Sequence, residues 1–93
     1  MYAIEVVKLS DQDSKLIFAV TVAKGDNDYD FQVTLPFAYY QKLSGGKILA
    51  EELIKKIFLF LLDRESPQEI LTAFDVTQIK FYFPSFETEI SGY

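Results

Sequence analysis

An alternation of larger apolar residues with smaller or polar ones constrains the fold of this chain more than any other sequence feature. In the segment 29–35 the apolar residues occupy every second position: Tyr29, Phe31, Val33 and Leu35. The segment 16–23 repeats the pattern at even positions: Leu16, Phe18, Val20 and Val22. Period-2 alternation is typical of a strand with one buried face. With a third apolar segment at 2–9 and polar turns at 10–14 and 24–28, the sequence predicts an antiparallel meander of three strands.

The pattern becomes helical after Pro36, which suits a first helical turn but not a central strand. Residues 37–43 predict a short helix that ends at the glycines 45–46, and Leu49–Arg64 predicts a long central helix. Capping signals at Ser66–Glu69 and at Asp75 predict two further short helices, the first with Ile70, Leu71 and Phe74 on its apolar side. Ser85–Ile90 predicts one more helical turn. We therefore expect one α+β domain over residues 1–93, with the meander in 1–35 and the helices of 36–93 on one sheet face.

The central helix is apolar on more than one side. Leu59, Phe60 and Leu62 widen its apolar stripe beyond what one sheet would cover. Tyr39 and Tyr40 are neighbours on a helix, so one is expected in the core and the other partly exposed. Tyrosine is enriched at protein interfaces. These five residues are the predicted interface.

The composition removes several kinds of chemistry. The chain has no histidine and no cysteine, so it has no imidazole base, thiolate nucleophile or structural zinc site. The string Asp26–Asp30 resembles the start of a calcium loop, but Phe31 replaces the required glycine and Phe37 the required glutamate, which favours a hairpin turn. Ser44–Lys47 lacks the spacing of a phosphate-binding loop and is interpreted as a helix end. The sequence predicts no catalytic, cofactor-binding or metal-binding residue.

Charge and hydropathy limit the partners. The chain has 9 Lys and Arg residues against 14 Asp and Glu, a net charge of -5, and no basic cluster, so nucleic acid is not an expected partner. The longest apolar run, Ile57–Leu62, is far shorter than the ~20 residues that span a bilayer. The segment 1–5 has no positive charge of the kind that begins a secretory signal. We therefore expect a cytoplasmic protein without a membrane partner.

From Tyr39 onward the sequence resembles a group of short bacterial proteins of uncharacterised activity. The matching stretches are Tyr39–Gly46, Glu51–Ile54, Phe58–Glu65, Ile70–Leu71, Phe74–Asp75 and Tyr82–Pro84. They span roughly the last 55 residues and consist mainly of core and capping types. The chain departs from the group at Ile57, where a small polar residue is expected, and at Phe60, where an acid is expected. The resemblance implies a bacterial single-domain protein and transfers no activity.

These observations favour a small acidic, non-enzymatic interaction module that associates with itself or with another protein. One alternative is a ligand-binding domain or enzyme that uses Tyr, Ser, Lys and carboxylate groups in a pocket between sheet and helices. Another is an antitoxin-like regulator or a nucleic-acid mimic, although the acids are scattered along the sequence.

Overall fold

A computed structural model that describes all 93 residues has an α+β fold with four strands and four α-helices. The elements in chain order are β1 (Ala3–Gln12), β2 (Lys15–Lys24), β3 (Asn27–Pro36), α1 (Phe37–Ser44), α2 (Ala50–Leu62), β4 (Ala73–Asp75), α3 (Ile79–Tyr82) and α4 (Phe86–Glu89). Short 3-10 helices lie at Pro67–Glu69, Val76–Gln78 and Ile90–Gly92. The predicted α+β class and the N-terminal antiparallel meander are confirmed. None of the helices combines the length and the apolar content needed to cross a membrane.

Two tight hairpins set the register of the meander. Gln12 pairs with Lys15, and the two residues between them, Asp13 and Ser14, have φ angles of 56° and 62°. Positive φ at both central positions matches the twist of the flanking strands. The string that resembled a calcium loop forms the second hairpin, which turns at Gly25 and Asp26 and continues directly into β3.

One face of the sheet is buried and the helices pack against it. The even positions 16–22 of β2 are buried while the odd positions 17–23 remain partly exposed, as the alternation predicted. The buried side chains of β2 and β3 join those of α1 and α2 in one core of 19 residues. α2 contacts β1 and α1 contacts β3, so the helical layer spans the width of the meander.

The central helix is shorter than predicted. α2 has 13 residues and ends at Leu62, so the expectation of a long central helix over Leu49–Arg64 is wrong. Leu49 has an extended backbone and serves as the N-cap. At the other end the backbone N–H groups of Arg64 and Glu65 both donate to the Leu61 carbonyl, at 3.0 and 2.8 Å, which closes the helix in a tight turn.

The sheet has a fourth strand where the sequence predicted helix. β4 pairs in parallel with β3, with Phe74 opposite Val33, and the Gln32 N–H donates to the Thr72 carbonyl at 2.8 Å. The 3-10 helix before it ends at Glu69, and Ile70 is already extended. A strand of three residues is too short to show an alternation, so the sequence pattern favours a helix for its apolar residues.

Candidate functional site

The structure does not bring the five predicted interface residues together on one surface. Tyr39 is 7% exposed and Phe60 is fully buried, so neither can present its ring to a partner. Tyr40 is half-buried, as expected for one of the two adjacent tyrosines, and its hydroxyl donates to the Ile48 carbonyl at 2.5 Å. Leu62 is also half-buried, and only Leu59, at 45%, is largely exposed.

Tyr39 is held inside the molecule by a charged cluster. Its hydroxyl donates to Oε2 of Glu87 at 2.7 Å, and the ammonium groups of Lys42 and Lys80 lie 3.3 and 3.7 Å from the same oxygen. Burial, reinforced by the hydrogen bond to Glu87, raises the pKa of the Tyr39 phenol. The hydrogen bond from Tyr39, together with the two lysines, lowers the pKa of the Glu87 carboxyl. Both groups are thereby moved away from titration near neutral pH, and the cluster ties α1, α3 and α4 together.

Phe60 is covered by the C-terminal part of the chain. Its ring centroid lies 5.8 Å from that of Phe83, 5.0 Å from Phe86 and 5.7 Å from Tyr93, all in edge-on arrangements. The Arg64 guanidinium stacks on the same ring at 3.7 Å. The second apolar face of α2, which the sequence suggested would need a partner, is therefore occupied by the chain's own residues.

A different apolar surface is open to solvent. It is a groove with a cavity of about 180 Å³, bounded by the end of α2, the segment 65–71, β4 and α3, and we call it the α3 groove. Seven apolar residues line it: Leu61, Ile70, Leu71, Phe74, Ile79, Tyr82 and Phe83. Three polar residues complete it: Glu65, Glu69 and Gln78.

The α3 groove has a buried floor and an exposed rim. Leu61, Ile70 and Ile79 are each at most 6% exposed and belong to the core. On the rim, Leu71 is 56% and Tyr82 is 68% exposed. Large apolar side chains that stay in water beside a cavity mark a surface suited to binding.

Two capping boxes orient polar side chains of the groove. Oε1 of Glu69 accepts hydrogen bonds from the backbone N–H and the hydroxyl of Ser66, both at 2.9 Å. Oε1 of Gln78 accepts from the backbone N–H of Asp75 at 3.0 Å. Both side chains are fixed by local backbone structure, so the polar edge of the groove is preorganised. The hydrogen bonds from Ser66 lower the pKa of the Glu69 carboxyl.

Glu65 is the carboxylate in the groove that the capping boxes leave free. It is half-buried and takes part in none of the four ion pairs of the structure. Burial, with a smaller contribution from the negative charge of Glu69, raises the pKa of its carboxyl. A cation placed beside Glu65 would relieve both effects, because it compensates the lost hydration and the repulsion. The groove therefore suits an apolar group with a positive charge next to it.

The size of the cavity indicates what kind of group fits. Pockets for drug-sized ligands span roughly 300–1,000 Å³, whereas an apolar cavity of about 150 Å³ holds a benzene ring. A cavity of about 180 Å³ therefore has room for one aromatic or large aliphatic side chain. The capping signals at Ser66 and Asp75 that position the edge of the groove are visible in the sequence, whereas Glu65 and the groove itself are not.

The rest of the molecule offers fewer chemical options. No group of three carboxylates is arranged so that it could hold a metal ion. The exposed acids Glu5, Asp28 and Asp30 lie on the uncovered face of the sheet, where Asp30 accepts a hydrogen bond from the Thr21 hydroxyl at 2.8 Å.

Comparison of the chain with protein-family models, with curated proteins and with solved structures finds no match. The resemblance to short bacterial proteins stays a prediction, and function has to be argued from the geometry of the molecule.

Proposed function

We propose that this protein is a non-enzymatic interaction module whose α3 groove receives one apolar side chain of a protein partner. The observation that carries the proposal is the open cavity of about 180 Å³ with Leu71 and Tyr82 exposed on its rim. A side chain that enters it would contact Leu61, Ile70 and Ile79, which the core already holds in place. Because the site is preformed, binding does not carry the entropic cost of ordering its side chains.

The partner's chemistry follows from the charges of the groove. Glu65 and Glu69 place two carboxylates beside an apolar cavity, and no lysine or arginine lines it. We therefore assign the partner an aromatic or large aliphatic residue with a lysine or arginine next to it. Opposite charges at the edge of an interface favour the correct partner and suppress acidic ones.

The perturbed titratable groups support a binding role over a catalytic one. A nucleophile or general base at neutral pH needs a pKa near 7. The pKa of Tyr39 is raised and that of Glu87 is lowered, which moves both groups away from that range. The pKa of Glu65 is raised, toward that range, but the groove around Glu65 is mostly apolar and offers few groups that could orient a polar substrate.

A second candidate is a site for a small apolar amine, because the cavity has room for a single ring and Glu65 is unpaired. Phenethylamine carries both features in one molecule and serves as its probe. Binding of phenethylamine as tight as that of a peptide with the same groups would favour this candidate over a protein partner.

The test is an NMR titration of the ¹⁵N-labelled protein with a tetrapeptide. The peptide has one lysine followed by one phenylalanine, a glycine on either side of the pair, an acetylated N-terminus and an amidated C-terminus. We expect shift changes concentrated at residues 65–83. Replacing the lysine of the peptide by glutamate, or its phenylalanine by alanine, should weaken binding.

The matched variants are Leu71→Ser, on the rim of the groove, and Leu49→Ser, at a position with 65% exposure outside it. We expect Leu71→Ser to weaken peptide binding and Leu49→Ser to leave it unchanged. Shifts that are spread over the whole surface, or equal binding of all three peptides, would contradict the proposal.

A further inference from the structure

The most exposed aromatic side chain of the protein lies next to the α3 groove. Phe81 is 77% exposed, more than any other aromatic residue, and it directly precedes Tyr82 on the rim. α3 has only four residues, and Ile79 and Tyr82 contribute to the groove while Phe81 does not. The chain thus presents an unburied phenylalanine ring beside a cavity that has room for one ring.

A positively charged side chain lies next to Phe81. The ammonium nitrogen of Lys80 lies 5.8 Å from the centroid of the Phe81 ring. Its nearest carboxylate is Glu87 at 3.7 Å, and 37% of the Lys80 side chain is exposed. Lys80 and Phe81 therefore supply the two features that the groove selects, an aromatic ring and an adjacent cation.

We infer that the partner of the α3 groove is a second copy of this chain, which inserts Phe81 into the cavity and brings Lys80 toward Glu65 and Glu69. This inference rests on the proposed function and names its partner. α3 carries Phe81 and also forms one wall of the groove through Ile79 and Tyr82, so a two-fold axis beside α3 would place each Phe81 at the other copy's groove. Such a contact is reciprocal and closes as a dimer rather than growing into a filament.

The dimer is expected to be weak. Its apolar centre consists of Phe81, Tyr82 and Leu71, and the two copies each carry a net charge of -5. Small interfaces of this kind belong to the transient class, below about 1,200 Å² of buried area. We expect dissociation constants between about 1 μM and 1 mM, so the association has to be measured at high concentration.

The experiment is sedimentation equilibrium of the full chain at concentrations up to about 1 mM, with three single variants. The wild-type chain should dimerise. Phe81→Ser and Leu71→Ser should raise the dissociation constant about tenfold or more, because they remove the inserted ring and part of the groove. Leu49→Ser, at a position with 65% exposure outside the groove, should dimerise like the wild type. Thermal unfolding of each variant verifies that the fold is retained.

Exchanging the charges of Lys80 and Glu65 tests whether these two residues face each other across the dimer interface. Lys80→Glu should weaken the dimer by about two- to fivefold for each ion pair, and a two-fold dimer contains two such pairs. Because the variant also removes the contact between Lys80 and Glu87, its thermal unfolding is measured beside that of the wild type. Adding Glu65→Lys to the same chain should restore the dimer, since each copy then offers the opposite charge to its partner. A loss that the second substitution does not reverse would overturn the assigned pairing of Lys80 with Glu65.

The outcomes separate this inference from the proposed function. A strict monomer at about 1 mM whose groove still binds the lysine–phenylalanine peptide overturns the second copy as partner and leaves the interaction module standing. A dimer that is indifferent to Phe81→Ser also overturns the inference, since the copies then meet elsewhere. A monomer that also fails to bind the peptide overturns both.

Discussion

At the scale of single residues, Glu87 and Glu65 respond to their surroundings in opposite ways. Glu87 accepts a hydrogen bond from Tyr39 and lies near two lysines, so its charged form is favoured and its pKa is lowered. Glu65 is half-buried near Glu69 without a cation, so its neutral form is favoured and its pKa is raised. The same substitution, glutamate to glutamine, should therefore have opposite effects at the two positions.

Glu87→Gln should lower the midpoint of unfolding at pH 7. The pKa of Glu87 is lower in the folded chain, so its stabilising effect is present above the unfolded value of about 4.3 and is lost as the pH falls through the folded value. Urea unfolding at pH 7 and at about pH 3 measures the effect, and the difference between variant and wild type should shrink at the lower pH. An equal difference at both pH values would show that the charge of Glu87 is not its cause.

Glu65→Gln should raise the midpoint of unfolding at pH 7. Because the pKa of Glu65 is raised in the folded chain, its favourable contribution is present below the unfolded value and is lost as the pH rises through the folded value. At neutral pH the ionised Glu65 therefore opposes folding, and glutamine removes that charge. The same urea series provides the measurement, and a clear destabilisation at pH 7 would contradict the assigned environment of Glu65.

At the scale of elements, α2 is the helix whose surroundings decide the fold. One apolar side faces the sheet, where Phe58 packs against Phe31 with ring centroids 5.2 Å apart. The other side holds Phe60 against Phe83, Phe86 and Tyr93. A helix that is apolar on two sides is stable in water only when both sides are covered, and here the chain itself covers both.

Phe60→Ala should destabilise the protein by about 3–5 kcal/mol, the usual cost of removing a fully buried phenylalanine. Leu59→Ala is the matched control on the same helix, since Leu59 is 45% exposed and should cost less than about 1 kcal/mol. Chemical denaturation followed by circular dichroism measures both. An equal loss of unfolding free energy at the two positions would contradict the burial of Phe60, and Phe60 would again be a candidate for the interface.

The sequence was informative where structure depends on near neighbours. The strand alternation, the turn after Lys24, the helix after Pro36 and the capping boxes of Ser66 and Asp75 all arise within a few residues. They were predicted because period, turn chemistry and capping are local properties.

The features that the sequence did not reveal depend on residues far apart in the chain. β4 exists because Ala73–Asp75 meets β3, some 40 positions earlier, and Phe60 is buried because Phe86 returns to it. The α3 groove combines residues 61–83, and the raised pKa of Glu65 requires the burial that only the fold creates. Apolar excess on a helix showed that a covering surface was needed, but it could not show that the surface lay in the same chain.

At the scale of the whole molecule, the strands differ in how they are supported. β2 pairs with β3 at ten positions and with β1 at nine, whereas β4 pairs with β3 at three positions only. We expect the amides of β2 to exchange with solvent only through global unfolding and those of β4 through local opening. Native-state hydrogen exchange by NMR measures this, and equal protection of β4 and β2 would mean that the C-terminal half unfolds together with the meander.

The C-terminal segment should be as important to the fold as any strand. Phe86 is fully buried and Ile90 is 3% exposed, and both belong to the core. Deleting residues 85–93 removes these two side chains and takes two of the covering rings, Phe86 and Tyr93, away from Phe60. Each loss costs roughly 2–5 kcal/mol, so the two together cost about 4–10 kcal/mol, which is comparable with the 5–15 kcal/mol that stabilise a typical domain. We therefore expect the shortened chain to lose its cooperative unfolding transition.

A shorter deletion separates core packing from surface contacts. Removing residues 91–93 eliminates the Tyr93 ring beside Phe60 and the hydrogen bonds that link its hydroxyl to Arg64 and Asp63, at 3.0 and 2.6 Å, but it keeps Phe86 and Ile90. This chain should remain folded with a lowered midpoint, measured by thermal unfolding beside the longer deletion. If the longer deletion also unfolded cooperatively, the packing of Phe86 and Ile90 would not be required for the fold. The cover that Phe83 and Arg64 give to Phe60 would then be enough to keep α2 in place.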